Sequence, residues 1–126
     1  MFSSSYINLK INKTGNIKLK FKNYRGYLDI ITINNKNYTI NDIDTLNNLG
    51  NNIINITLIW NNSITSTNSM FSGCDDIIEM DLSHFDTSNV ENMVYMFRGC
   101  SSLTSLDLSN FNTSSVKRMN NIFKFI

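Results

Sequence analysis

The sequence predicts an α/β repeat fold, a solenoid of 26-residue units behind a β-rich N-terminal cap, and three observations lead there. First, Met70-Phe71-Ser72-Gly73-Cys74 returns as Met96-Phe97-Arg98-Gly99-Cys100. Second, Asp81-Leu82-Ser83-His84-Phe85-Asp86-Thr87-Ser88 returns as Asp107-Leu108-Ser109-Asn110-Phe111-Asn112-Thr113-Ser114, while Val90 and Met93 return as Val116 and Met119. A fixed period in the range of 20–50 residues is the signature of stacked supersecondary units. Third, the residues before the repeats alternate apolar and polar with period two, the pattern of half-buried strands.

In chain order, residues 1–52 form the cap and residues 53–126 the repeats. Ile7, Leu9 and Ile11 predict one strand, and Ile17, Leu19 and Phe21 a second, across the turn at Asn12-Lys13-Thr14-Gly15-Asn16. Tyr27–Ile33 and Tyr38–Ile40 predict another strand pair around Asn34-Asn35-Lys36-Asn37, and Asn41–Asn52 a polar connection with one helical turn at Asp42–Leu49. Residues 53–69 are a degraded repeat, 70–95 and 96–121 are full repeats, and 122–126 begin another. Within a unit, Leu103, Leu106 and Leu108 predict a short strand closed by Phe111. Ser88-Asn89-Val90-Glu91 fits a helix capping box. Val90, Met93 and Phe97 then form one helical stripe, with Gly99 as its stop.

These residues resemble the BspA-like leucine-rich repeat family of surface proteins. The pattern is Thr87-Ser88-Asn89-Val90, Met93, Met96-Phe97, Gly99-Cys100, Leu103, Leu106-Asp107-Leu108-Ser109, Phe111 and Thr113-Ser114, and it covers Met70 to Phe123. The resemblance implies a leucine-rich-repeat-type solenoid and a role in adhesion or in host and matrix binding, at the cell surface or secreted.

Composition sets further bounds. With 41% hydrophobic and 17% charged residues the chain is globular. Its net charge of +1 conceals a division, because residues 1–40 carry +6 and the remainder −5. No apolar run of signal-peptide or membrane-spanning length is present, which favours an intracellular leucine-rich-repeat scaffold as the alternative function. Lys124-Phe125-Ile126 falls inside a new unit with no polar closing repeat, so end-to-end self-association through that open end is expected.

The candidate binding face is the outward side of the repeat strands. Asp81 and Asp107 recur there, Ser83 and Ser109 follow two residues later, and Glu79, Ser105, His84 and Asn110 vary between copies, as contact positions do on a constant scaffold. The expected ligand is a protein or a glycan. The competing structural role for Asp and Ser is hydrogen bonding to neighbouring backbone. His84, the only histidine, returns as Asn110, a replacement that a repeated catalytic unit would not show, so no enzyme is predicted. Cys74 and Cys100 share a repeat position on adjacent rungs, close enough for a disulfide, and the reading favoured over that bond is a ladder of free thiols. Two thiols and His84 at irregular spacing do not make a zinc site, and no metal or cofactor is expected. The N-terminal lysines lack a recognisable nucleic-acid module and suit protection of a strand edge. Trp60, the only tryptophan, fits either a core plug or a contact anchor.

Overall fold

A computed structural model of the chain describes residues 5–12, 30–38 and 53–124. The described residues form five strands: β1 (Ser5–Asn12), β2 (Ile30–Ile33), β3 (Lys36–Tyr38), β4 (Ile53–Trp60) and β5 (Ile77–Asp81), and burial alternates with period two along β1, β2 and β4. They form one sheet in the order β3-β2-β4-β1-β5, and every neighbouring pair is antiparallel. β1 therefore lies between β4 and β5, its residues running from Ser5 opposite Trp60 to Asn12 opposite Ile53. On its other side Asn8 faces Asp81 and Lys10 faces Glu79, before an irregularity brings Ile11 opposite Ile77. The sheet thus joins strands from both sides of residue 52.

Ile7, Leu9, Ile11, Ile54, Ile56, Leu58 and Trp60 point inward and are buried, whereas Asn8, Lys10, Asn12 and Asn55 point outward and are exposed. β2 and β3 close a hairpin through Asn34 and Asn35, both left-handed at φ 48° and 68°. Two consecutive left-handed residues are the requirement of a type I′ turn, which asparagine tolerates. The predicted second strand at Ile17–Phe21 and the predicted turn at Asp42–Leu49 lie outside the described residues.

The leucine-rich-repeat-type α/β solenoid is not the fold. The domain is a small antiparallel sheet followed by turns, and the described residues contain no α-helix. Nor do Leu103, Leu106 and Leu108 lie in a strand; they pack half-buried against the core. The backbone explains the missing helix. Ser69, Phe71 and Gly73 donate their N–H groups to the carbonyls of Val94, Met96 and Arg98, one copy later, at 2.9, 2.9 and 2.7 Å. The intervening Met70, Ser72 and Cys74 donate to carbonyls three residues back, at 3.1, 3.1 and 3.0 Å. The next copy repeats the scheme. Phe97 and Gly99 donate to Ile122 and Lys124, while Met96, Arg98 and Cys100 close turns on Met93, Tyr95 and Phe97.

An α-helix needs each of these N–H groups for the carbonyl four residues back. A segment that directs alternate amides to its neighbour cannot also satisfy that ladder. The dihedral angles agree: Ser69, Tyr95 and Asn121 recur at φ 58°, 58° and 57°, and Gly73 and Gly99 at 77° and 73°. Ser69, Tyr95 and both glycines are third residues of turns, where a type II turn requires positive φ. The predicted capping box fails with the helix. The Glu91 amide donates instead to Thr65 of the preceding unit at 2.8 Å, and its carboxylate pairs with Lys117 at 3.2 Å.

The apolar stripe read as helical is nonetheless buried. Val90, Met93 and Phe97 join the sheet's inner face in a single core. Two aromatic columns run through it. Trp60, Phe85 and Phe111 follow one another at ring separations of 5.3 and 6.2 Å. Phe71, Phe97 and Phe123 stack nearly parallel at 6.1 and 6.0 Å. Trp60 is thus a core residue, heading the first column.

Replacing Gly99 by alanine should destabilise the protein by about 1–2 kcal/mol, because an L-residue would be held in the left-handed region. The nearest atom to the new Cβ, Gly73 Cα at 3.5 Å, leaves room for it, so backbone strain is the whole effect. Phe97→Ala, which empties the middle of a column, should cost about 3–5 kcal/mol. Urea unfolding followed by Trp60 fluorescence measures both.

Candidate binding groove

The outward side of the sheet is where the polar residues of each strand accumulate. Thr57 Oγ1 donates to Asn8 Oδ1 at 2.7 Å across β4 and β1, and Lys10 Nζ meets Glu79 Oε2 at 3.2 Å across β1 and β5. Over this surface lies a groove of about 710 Å³. Asn8, Lys10, Asn55 and Thr57 line it from β1 and β4, Glu79 and Asp81 from β5, and Thr104, Ser105 and Asp107 from the second copy. Asn35, in the β2–β3 turn, also borders it. Its polar chemistry is that of amides, hydroxyls and carboxylates, with Lys10 as the one cation among the described lining residues, and Leu9, Ile56 and Met80 also border it.

Four of the eight residues predicted for the binding face therefore share this groove: Glu79, Asp81, Ser105 and Asp107. Ser83, Ser109 and Asn110 instead border an adjoining cleft of about 70 Å³, which also touches Asp81 and Asp107. His84 borders neither space. Its ring stacks on Tyr6 with centroids 4.5 Å apart and planes 12° from parallel.

The repeated Asp-x-Ser has a structural task as well. Asp81 Oδ1 accepts the Ser83 N–H at 3.0 Å, and Asp107 Oδ1 accepts that of Ser109 at 2.9 Å. These are Asx turns, in which a side-chain carbonyl takes the place of a backbone acceptor. The bonds from the serine hydroxyl and backbone N–H hold both carboxyls below the usual carboxylate range. Asn110 is drawn inward by its amide, which donates to Leu82 and Phe85 carbonyls at 3.4 Å each and so ties one copy to the other.

The Ser83–His84 pair has the wrong order for nucleophile activation. Ser83 Oγ lies 3.0 Å from His84 Nδ1 and also hydrogen-bonds Asp81, so the hydroxyl stands between acid and imidazole. In a Ser-His-Asp triad the imidazole takes that middle position, to receive the serine proton while the acid orients it. Among the described residues no group of three or more His, Cys, Asp or Glu side chains is placed to hold a metal ion.

Cys74 and Cys100 are both buried free thiols. Cys100 Sγ donates to the Phe71 carbonyl at 3.2 Å, and burial pushes its thiol up to about 11. Such a group carries almost no thiolate near neutrality.

The sequence alone did not assign Asn8, Lys10, Asn35, Asn55, Thr57 or Thr104 to the binding face. Alternation did mark Asn8, Lys10, Asn55 and Thr57 as outward residues. Only the pairing of β1 with β4 and β5 puts them beside Asp81.

Two measurements check these assignments. Carbon-detected NMR titration should place the Asp81 and Asp107 midpoints below the ordinary value of about 3.9, and Ser83→Ala should move that of Asp81 upward. A depressed carboxyl stabilises the fold above its unfolded pKa and loses that contribution as pH falls through the folded one. The stabilisation should therefore be lost on the acid side of the ordinary carboxylate value. In alkylation near pH 8, Cys100 should react in the urea-unfolded chain and resist in the native one.

Among the described residues no helix is long and apolar enough to cross a membrane. No curated protein and no solved structure matches the chain. A family model described as "Mycoplasma protein of unknown function, DUF285" matches residues 42–125, which take in β4, β5 and the whole of the stacked turns. With two thirds of its 126 residues matched, the chain belongs to that DUF285 family.

Proposed function

We propose that the protein is a non-enzymatic binding module that holds a protein or glycan ligand in the groove on the outer sheet face. The observation that supports this reading is the groove itself, an open space of about 710 Å³ bordered by polar side chains of three strands and of the second copy. Its amides and carboxylates offer paired acceptors and donors to hydroxyl-rich or peptide ligands. Binding would draw on several shallow contacts rather than one enclosed pocket. Among the described lining residues three carboxylates stand against Lys10, which favours ligands that are neutral or basic over polyanions. The resemblance to BspA-like proteins adds adhesion at the cell surface as the setting.

The test is a panel of matrix proteins and glycans screened with the wild-type protein and with Asp81→Asn/Asp107→Asn. Asparagine keeps the Oδ1 that accepts the Ser83 and Ser109 N–H groups and removes only the charge, so the double variant should unfold within a few degrees of the wild type. It should lose at least about tenfold in affinity for any ligand that the wild type retains, roughly 1.4 kcal/mol. Undiminished binding by the variant would remove the groove from consideration. Labelling of intact source cells with a membrane-impermeant reagent should mark the protein; expressed protein that escapes labelling would count against the surface setting.

A further inference from the structure

The two ends of the core are finished differently. Phe97 and Met93 are 0% exposed, yet their counterparts one period later, Phe123 and Met119, are 43% and 44% exposed. The same contrast runs along the unit. Ile77, Leu82, Phe85, Val90 and Met96 are buried, whereas Leu103, Leu108, Phe111, Val116 and Ile122, one period later, are only half-buried. Each member of the first set is covered by the copy that follows it. The second set forms a contiguous apolar end face.

Backbone chemistry gives this face a direction. Along the turn segments of the internal junctions the earlier copy supplies N–H donors and the later copy carbonyl acceptors, from Ser69 to Val94, Phe71 to Met96 and Phe97 to Ile122, while at the corner the direction reverses, Glu91 donating to Thr65 and Lys117 to Glu91. By the same register the next donors are Asn121 and Phe123, and among the described residues no carbonyl accepts their N–H groups. The aromatic column is likewise set for extension. The Phe97–Phe123 pair, at 6.0 Å and 9°, reproduces the Phe71–Phe97 pair at 6.1 Å and 10°, so the outer face of Phe123 has the orientation that Phe97 presents to it.

We propose that this end face is a docking surface for a further 26-residue unit of the same pattern, which continues the junction already made between the first and second copies. The occupant must offer carbonyl acceptors at every second residue and apolar side chains in the repeat register. The second copy presents this combination of carbonyl acceptors, a donating corner amide and apolar side chains to the first copy in the same register, which singles out a unit of the same pattern as the occupant. The inference rests on no property of the groove, and groove substitutions leave its test unmoved.

The experiment inserts a duplicate of Gly99–Lys124 after Lys124 in the full chain, which preserves the 26-residue register, and follows hydrogen exchange at single amides. The Asn121 and Phe123 amides should exchange about tenfold more slowly or less still, as they acquire acceptors. The thermal midpoint should rise. A scrambled insert of the same composition should do neither, and Phe123→Asp should abolish the protection. No slowing at Asn121 and Phe123 would overturn the proposal. So would light scattering that finds the uninserted chain paired and Phe123→Asp monomeric, since the face would then belong to a second copy.

Discussion

The interaction on which the structure depends is the one-way set of backbone hydrogen bonds between residues 25 apart. Ser69, Phe71 and Gly73 bond forward to Val94, Met96 and Arg98, and Phe97 and Gly99 bond forward again. Because these donors lie on alternate residues, the remaining amides can close turns within their own segment. No polar backbone group need then be buried without a partner, a condition any dense core imposes. The arrangement fixes the separation of the copies and with it the spacing of both aromatic columns. Buried side chains join the same scheme: Thr87 Oγ1 donates to the Asn112 carbonyl at 3.2 Å and accepts the Asn112 N–H at 2.9 Å.

A second constraint comes from β1. By entering between β4 and β5 it binds both edges of its backbone and makes the sheet and the stacked turns one body. Ser5 strengthens the join, its buried hydroxyl accepting the Asp86 N–H at 2.8 Å. The same insertion creates the groove, since Asn8 and Lys10 occupy the space between the polar residues of β4 and those of β5. Fold and candidate site therefore have a common origin in one long-range pairing.

Local motifs serve both. Asp81 and Asp107 turn the chain by accepting the serine amides, and they remain on the surface with their carboxylates ionised. A residue that shapes its own corner in this way is already held in one orientation, which lowers the entropy cost of using it in recognition. Asn110 borders the adjoining cleft and also bridges two carbonyls of the preceding copy. His84, which varies with it between copies, rests against Tyr6.

Much was legible in the residues themselves. The 26-residue period, the inward series Ile7-Leu9-Ile11, the burial of Val90, Met93 and Phe97, the left-handed Gly99 and the outward Asp81 and Asp107 all follow from local pattern and residue chemistry. The helix did not follow, because spacing at i, i+3 and i+7 reports only which side chains share a side. It does not say whether their amides bond within the segment or to the next copy. Tyr95 and Ser69 held in the left-handed region carry no composition signal comparable to glycine's. The sequence by itself therefore determined what is buried and what repeats. Tertiary structure alone decided which backbone groups pair, hence turns in place of helix and β1 between β4 and β5. Those choices depend on partners 25 to 78 residues away, and no local propensity encodes a bond at that range.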